Sequence, residues 1–129
     1  MIDHTGFSVT HFEESKLFYT RVLASLGYIV RLEIPDEAVG FGPARPDEGA
    51  DPGGAFWITS GTPSTPRMHI AFSAKNKEEV DAFHSTALLA GGKDNGMPGY
   101  RPQYHPGYYA AFIFDPDGYN IEAVYHEPQ

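Results

Sequence analysis

The chain has 129 residues and a formal net charge of -8. That length suits one compact domain, or two very small modules sharing a core, and needs no disulfide or structural metal to fold. The acidic balance repels phosphate backbones and argues against nucleic acid. Cysteine is absent, which suits a reducing compartment. The start, "MIDHTGFSVTHFEESK", lacks the basic residues and apolar run of a signal peptide, and no stretch approaches the ~20 apolar residues of a membrane span. A soluble cytoplasmic protein is the expectation.

In chain order, Ile2 to Val9 reads as a short strand. Phe7 and Val9 form its apolar face, and His4, Gly6 and Ser8 lie on the other. Thr10 and Glu13 have capping-box spacing, and the helix they open places Phe18, Val22 and Leu26 on one side. Gly27 ends it as an αL cap. The runs "YIVRLEI", "AVGFG" and "AFWIT" follow as strands, with the loop "GPARPDEGADPGG" before the third and the linker "GTPSTPR" after it.

The pattern then starts again. Met68 to Ala74 is a strand with Ile70 and Phe72 on the apolar face and His69, Ala71 and Ser73 opposite. Asn76 and Glu79 repeat the capping spacing; Val80, Phe83, Ala87 and Ala90 share a helix face; Gly91 and Gly92 close it. The irregular run "DNGMPGYRPQYHP" has room for a short strand. "GYYAAFIF" and "YNIEAVY" are strands joined by a DPDG turn, in which Pro116 fixes φ, Asp117 bonds its own backbone and Gly118 takes a positive φ.

Sliding the chain by 65 residues makes the repetition explicit. Between His4 and Gly27 and their counterparts His69 and Gly92, eight of 24 positions are identical in ungapped register, where chance gives about one or two. A generic strand followed by a helix would match in hydrophobicity; it would not match histidine with histidine. The fold class is therefore α+β, with two tandem βαβββ modules, 1–65 and 66–129, making one domain.

Both matched histidines sit on a strand face lined by small residues, where a normal core would carry Leu or Ile. Small side chains beside a polar one suggest a cavity. Glu122 lies on a strand of the second module, on the face away from Ile121 and Ala123. If the faces coincide, His4, His69 and Glu122 converge as two imidazoles and a carboxylate, a set suited to Fe(II), Mn(II), Ni(II) or Zn(II).

At this point the sequence resembles the vicinal oxygen chelate superfamily, which includes glyoxalase I, extradiol dioxygenases and the bleomycin and fosfomycin resistance proteins. The carriers are "IDH" in the first strand, "MHIAF" in its counterpart and "AAFIFDPDGYNIEAV" at the end. The resemblance implies a curved, half-barrel mixed sheet with helices on the convex face. It also implies a divalent metal held by His4, His69 and Glu122. Three departures bear on activity. Glyoxalase I usually adds a carboxylate on the last strand of its first module, where this chain has Trp57. Its basic residue four positions after the first His is here Ser8. The catalytic Tyr of extradiol dioxygenases, ten residues before the Glu, is here Phe112.

The aromatic run "YRPQYHPGYY" supplies further candidates. His105 suits a general acid or base, a common role of imidazole. Tyr104 suits a donor to a developing oxyanion. Arg101 suits an anionic group. Trp57 and Phe112 are counted as substrate-facing walls. His11, His84 and His126 are explained by solvent exposure. The expected activity is that of a metal-dependent lyase or isomerase on a small substrate with vicinal oxygens. The rival is a non-catalytic drug-sequestering protein of the same fold, and a dioxygenase ranks below both because of Phe112. A homodimer is expected, because open half-barrels leave sheet edges to be covered.

Overall fold

The computed structural model describes residues 1–129. Module one contains β1 (Thr5–Val9), α1 (Phe12–Ala24), β2 (Tyr28–Ile34), β3 (Ala38–Pro43) and β4 (Phe56–Ser60). Module two contains β5 (His69–Ser73), α2 (Lys77–Leu89), β6 (Lys93–Tyr100), β7 (Tyr108–Phe114) and β8 (Asn120–His126). Each module builds its own open four-stranded sheet, in the orders β1-β4-β3-β2 and β5-β8-β7-β6. The first and last strand of each module run parallel and the other pairs antiparallel. This is the α+β, doubled βαβββ architecture read from the repeat.

Pairing register places the repeat on an exact structural footing. Gly6 lies opposite Trp57 in β1·β4, and Ala71 lies opposite Glu122 in β5·β8. Trp57 therefore occupies in module one the sheet position that Glu122 occupies in module two.

One core serves both modules. Its 21 buried residues include Phe7, Val9, Phe18, Val22 and Phe56 from the first and Phe72, Val80, Phe83, Ile113 and Ile121 from the second. Burying that apolar surface is the main force holding the modules together. Phe56 and Phe72 meet edge to face with centroids 5.0 Å apart, and Phe7 and Tyr119 stack at 3.7 Å. The DPDG turn contributes more than a reversal. Asp115 is buried and accepts the backbone N–H groups of Asp117 and Tyr119, while Tyr19 of α1 donates its hydroxyl to the same carboxylate. Tyr119 in turn donates to the Ser8 carbonyl at 2.6 Å.

Several local expectations need correction. The strands β1 and β5 are shorter than read, and His4 precedes β1. Asn76 caps α2, accepting from the Glu79 N–H, but α1 starts from His11 with no side-chain cap. Thr10 instead donates its backbone N–H to Asp117, so tertiary contact replaces the local cap. The irregular run from residue 93 forms the eight-residue β6, with register shifts that accommodate its glycines and proline. His84 is 4% exposed, and its Nε2 contacts Asp94 at 2.9 Å; its place on the inner face of α2 overrides the solvent-exposed reading.

Candidate functional site

The site divides into two parts. In module two, β5 and β8 bring His69 and Glu122 together, with Nε2 and Oε1 2.9 Å apart. His69 donates Nδ1–H to the Asn120 carbonyl at 2.8 Å, since that oxygen can only accept. In a neutral ring Nε2 is then a lone pair facing a carboxylate oxygen. Glu122 is 2% exposed, and its Oε2 accepts the hydroxyl of Tyr108. Two acceptors held face to face need a positive charge on or between them.

The surroundings of Glu122 follow from β7. Phe112 lies opposite Glu122, and Tyr108, four residues earlier on the same face, reaches back along the sheet to it. The Phe112 ring lies 6.1 Å from that of His69, roughly parallel. On Phe112 also sits Arg101, its guanidinium 5.4 Å from the ring centroid. Two of its nitrogens donate to the Gly99 and Met97 carbonyls at 2.7 Å, so Arg101 braces the irregular β6.

Tyr108 is a site residue that the sequence reading passed over, although it lies inside the aromatic run. Its hydroxyl is held protonated, the pKa pushed well up by burial and then by the Glu122 carboxylate. His105 and Tyr104, the residues singled out in that run, are exposed and pack edge-on against the Tyr108 ring, at 5.2 and 4.9 Å between centroids. His126 stacks on His105.

In module one, His4 borders a cavity of about 480 Å³ with Gly6, Ser8, Asp51, Trp57 and Thr59. Nδ1 of His4 pairs with Asp3 at 2.6 Å and lies 3.6 Å from Asp51. These carboxylates, Asp3 first, raise the pKa of the ring. Like His69, His4 spends Nδ1–H on an oxygen and leaves Nε2 for another partner. Asp51 is itself fixed by accepting the Gly53 N–H at 2.8 Å. The indole of Trp57 donates to the Gly54 carbonyl at 3.0 Å and lies over Gly40 and Gly53. A Cβ at either glycine would come within 2.6 Å of the ring, so only glycine leaves room for it there.

The two parts do not meet within one chain. The group of three or more acidic or imidazole residues whose donor atoms lie within 4.8 Å of one another is Asp3, His4 and Asp51, and His4 does not join His69 and Glu122 in such a group. No helix is long and apolar enough to cross a membrane.

Comparison with known proteins bears on the whole arrangement. The family model described as the Glyoxalase/Bleomycin resistance protein/Dioxygenase superfamily matches residues 1–123. A glyoxalase/bleomycin resistance protein from Albidiferax ferrireducens T118 is 28% identical, with 98% of each chain covered and a TM-score of 0.76. A glyoxalase-related enzyme from Fulvimarina pelagi is 18% identical over 97% of this chain and 87% of its own, with a TM-score of 0.69. FosX, a fosfomycin resistance protein from Listeria monocytogenes solved as a mutant with Mn(II) and 1S,2S-dihydroxypropylphosphonic acid, is 18% identical over 96% of this chain and 88% of its own, with a TM-score of 0.68. A search of curated proteins finds no match. With its doubled βαβββ fold and a family match over nearly its full length, the chain belongs to the glyoxalase/bleomycin resistance protein/dioxygenase superfamily.

Proposed function

We propose that the protein is a metal-dependent lyase or isomerase acting on a small substrate with two vicinal oxygens, and that pairing of two copies completes its site. The observation that carries this is the His69–Glu122 contact, 2.9 Å between Nε2 and Oε1, with Nδ1 and Oε2 each engaged by another partner. Two ligands at right angles around an ion, each at ~2.1 Å, stand roughly 3.0 Å apart, so the donor pair fits a divalent cation. His69 and Glu122 of one copy and His4 of the other would hold Fe, Mn, Ni or Zn. Such an ion, when bound, supplies a Lewis acid that polarises substrate oxygens.

Sheet topology supports completion by a second copy. β1 and β5 are edge strands; His69 begins β5, and His4 stands one residue before β1. Edges of this kind accept another chain. A homodimer that sets β1 of one copy near β5 of the other brings the second imidazole to the buried carboxylate.

The chain's own residues then have distinct tasks. Trp57 presents a fixed aromatic wall, and Ser8 and Thr59 offer hydroxyls in the same cavity. Phe112 walls the side of His69. His105 and Tyr104, at the rim beyond Tyr108, are the candidates for moving a proton to or from a substrate that spans the two parts. Arg101 is a cation near that rim, with an anionic substrate group as its possible partner. The acid-free β4 and Ser8 argue against glutathione adducts, and Phe112 argues against catechol cleavage.

A second reading, sequestration of a small cationic aromatic compound without catalysis, is favoured by one feature. Asp51 and Trp57 line a cavity that contains no Lys or Arg. Metal content separates the two. Protein purified without chelator should carry about one Fe, Mn, Ni or Zn per chain, migrate as a dimer and lose the metal in His69→Ala. Metal-free protein that does not take up any of these ions, yet binds an aromatic cation, would establish the second reading.

A further inference from the structure

We infer that Tyr108 holds Glu122 as a one-oxygen ligand, a role that rests on the metal-site reading above. Glu122 is almost wholly buried, so each carboxylate oxygen must find its partner inside the protein. Oε2 has one in the Tyr108 hydroxyl, and Oε1 faces Nε2 of His69. An ion entering between imidazole and carboxylate meets Oε1, because Oε2 is already accepting a hydrogen bond from Tyr108.

The geometry around Tyr108 makes this a fixed arrangement. Tyr108 pairs with His126 across β7·β8, and its ring is boxed edge-on by Tyr104, His105 and His126, with centroids 4.9, 5.2 and 5.2 Å away. Phe112, the residue opposite Glu122, has no hydroxyl to compete for either oxygen. The donor therefore comes from four residues away along the strand.

The consequence concerns the substrate. A carboxylate that binds through both oxygens occupies two coordination positions; one restrained to a single oxygen occupies one. Keeping Oε2 engaged leaves the extra position open, and two adjacent open positions are what a vicinal-oxygen substrate requires. Tyr108 is in this sense a positioning residue for substrate chelation, acting through Glu122.

The test loads wild type, Tyr108→Phe and Tyr100→Phe with Co(II), checks each by thermal melt, and titrates acetohydroxamate, a small ligand that chelates through two oxygens. Tyr100 donates to Glu127 and serves as the control for losing a surface tyrosine hydroxyl. Wild type and Tyr100→Phe should bind hydroxamate equally. Tyr108→Phe should bind it at least about tenfold more weakly, near the lower end of losses from outer-partner mutations, and its Co(II) visible absorption should change as Glu122 takes a second position. Unchanged hydroxamate affinity and absorption in Tyr108→Phe, with Co(II) still bound, would overturn the inference and leave the metal site standing. Failure of wild type to bind Co(II), Mn(II), Ni(II) or Zn(II) would overturn both. A measurement on wild type alone guards against a Tyr108→Phe that does not fold: the infrared difference between loaded and metal-free protein, with the Glu122 bands identified by Glu122→Gln. Widely split carboxylate stretches support one-oxygen binding, and a narrow splitting overturns it.

Discussion

At the same place on two sheets, module two has Glu122 and module one has Trp57. Around Glu122 the side chains act on one buried carboxylate, with an imidazole on one oxygen and a phenol on the other. Around Trp57 two glycines, Gly40 of β3 and Gly53 of the turn before β4, leave room for the indole, and the acids beside the imidazole are Asp3 and Asp51. The repeat thus keeps a histidine in both modules and differs in what stands beside it: a buried carboxylate in one, an aromatic wall in the other.

The helices show a parallel contrast. Tyr19 and His84 stand 65 residues apart, at matching repeat positions, and both are buried polar residues bonded to an aspartate of module two. Tyr19 reaches across modules to buried Asp115, whereas His84 stays within its own module and bonds the half-exposed Asp94. Equivalent positions serve docking in one copy and local bracing in the other.

On the proposed metal reading, the largest expected effect falls on the His69–Glu122 pair. Glu122→Gln should weaken metal binding beyond the roughly 100-fold that losing an outer partner costs, as read by competition with a fluorescent chelator. An equal effect from Trp57→Phe would erase the distinction between the two halves. Next is the cross-module bond. Tyr19→Phe leaves an Asp115 oxygen buried without its donor and should cost roughly 1–3 kcal/mol in urea unfolding, more than His84→Phe, whose partner reaches water. The reverse order would mean that the modules are not joined through the DPDG turn.

Trp57→Glu sharpens the contrast from the other side by placing an acid on β4. Metal affinity should rise about tenfold, equivalent to about 1.4 kcal/mol, and the aromatic wall should be lost to ligands. No rise would show that position 57 does not face the metal.

The smallest effect is a pH dependence. Asp94 has its pKa lowered below the ordinary 3.8 by the His84 hydrogen bond and then by the Gly96 N–H. Its folded state therefore binds protons less readily than the unfolded chain. The stabilisation is full above pH 3.8 and declines as pH falls through the lower folded value. The difference in melting temperature between wild type and Asp94→Asn should accordingly narrow below that pH, and a constant difference would contradict it.

Much of this was legible in the chain. Matching histidines, matching acidic pairs in the helices and the DPDG turn before Glu122 were enough for the doubled module and the strand order along the chain; of the three residues expected to converge, one chain brings together His69 and Glu122. What escaped depends on register and on tertiary contact. Tyr108 meets Glu122 only because β7 pairs with β8 in one frame; a shift by one residue would turn it to the other face. Asp51 lies in a loop whose course no periodicity describes. His84 looked like a solvated helix residue because its partner sits in β6, a strand weakly signalled through its glycines and proline. The expected cap at Thr10 failed for a similar reason, since a distant aspartate satisfies its N–H.

The Phe7–Tyr119 stack and the Tyr119–Ser8 hydrogen bond, the latter spanning 111 residues, have a consequence for how the protein is made. A chain leaves the ribosome from its N-terminus, and module one emerges long before residues 115 and 119 exist outside the exit tunnel. Until then Phe7 and the Tyr19 hydroxyl lack the partners that cover them. The first module must wait, partly uncovered, for nearly the last turn of the chain. Synthesis that stalls before that turn leaves those aromatic surfaces of module one uncovered, exposed to association with other chains.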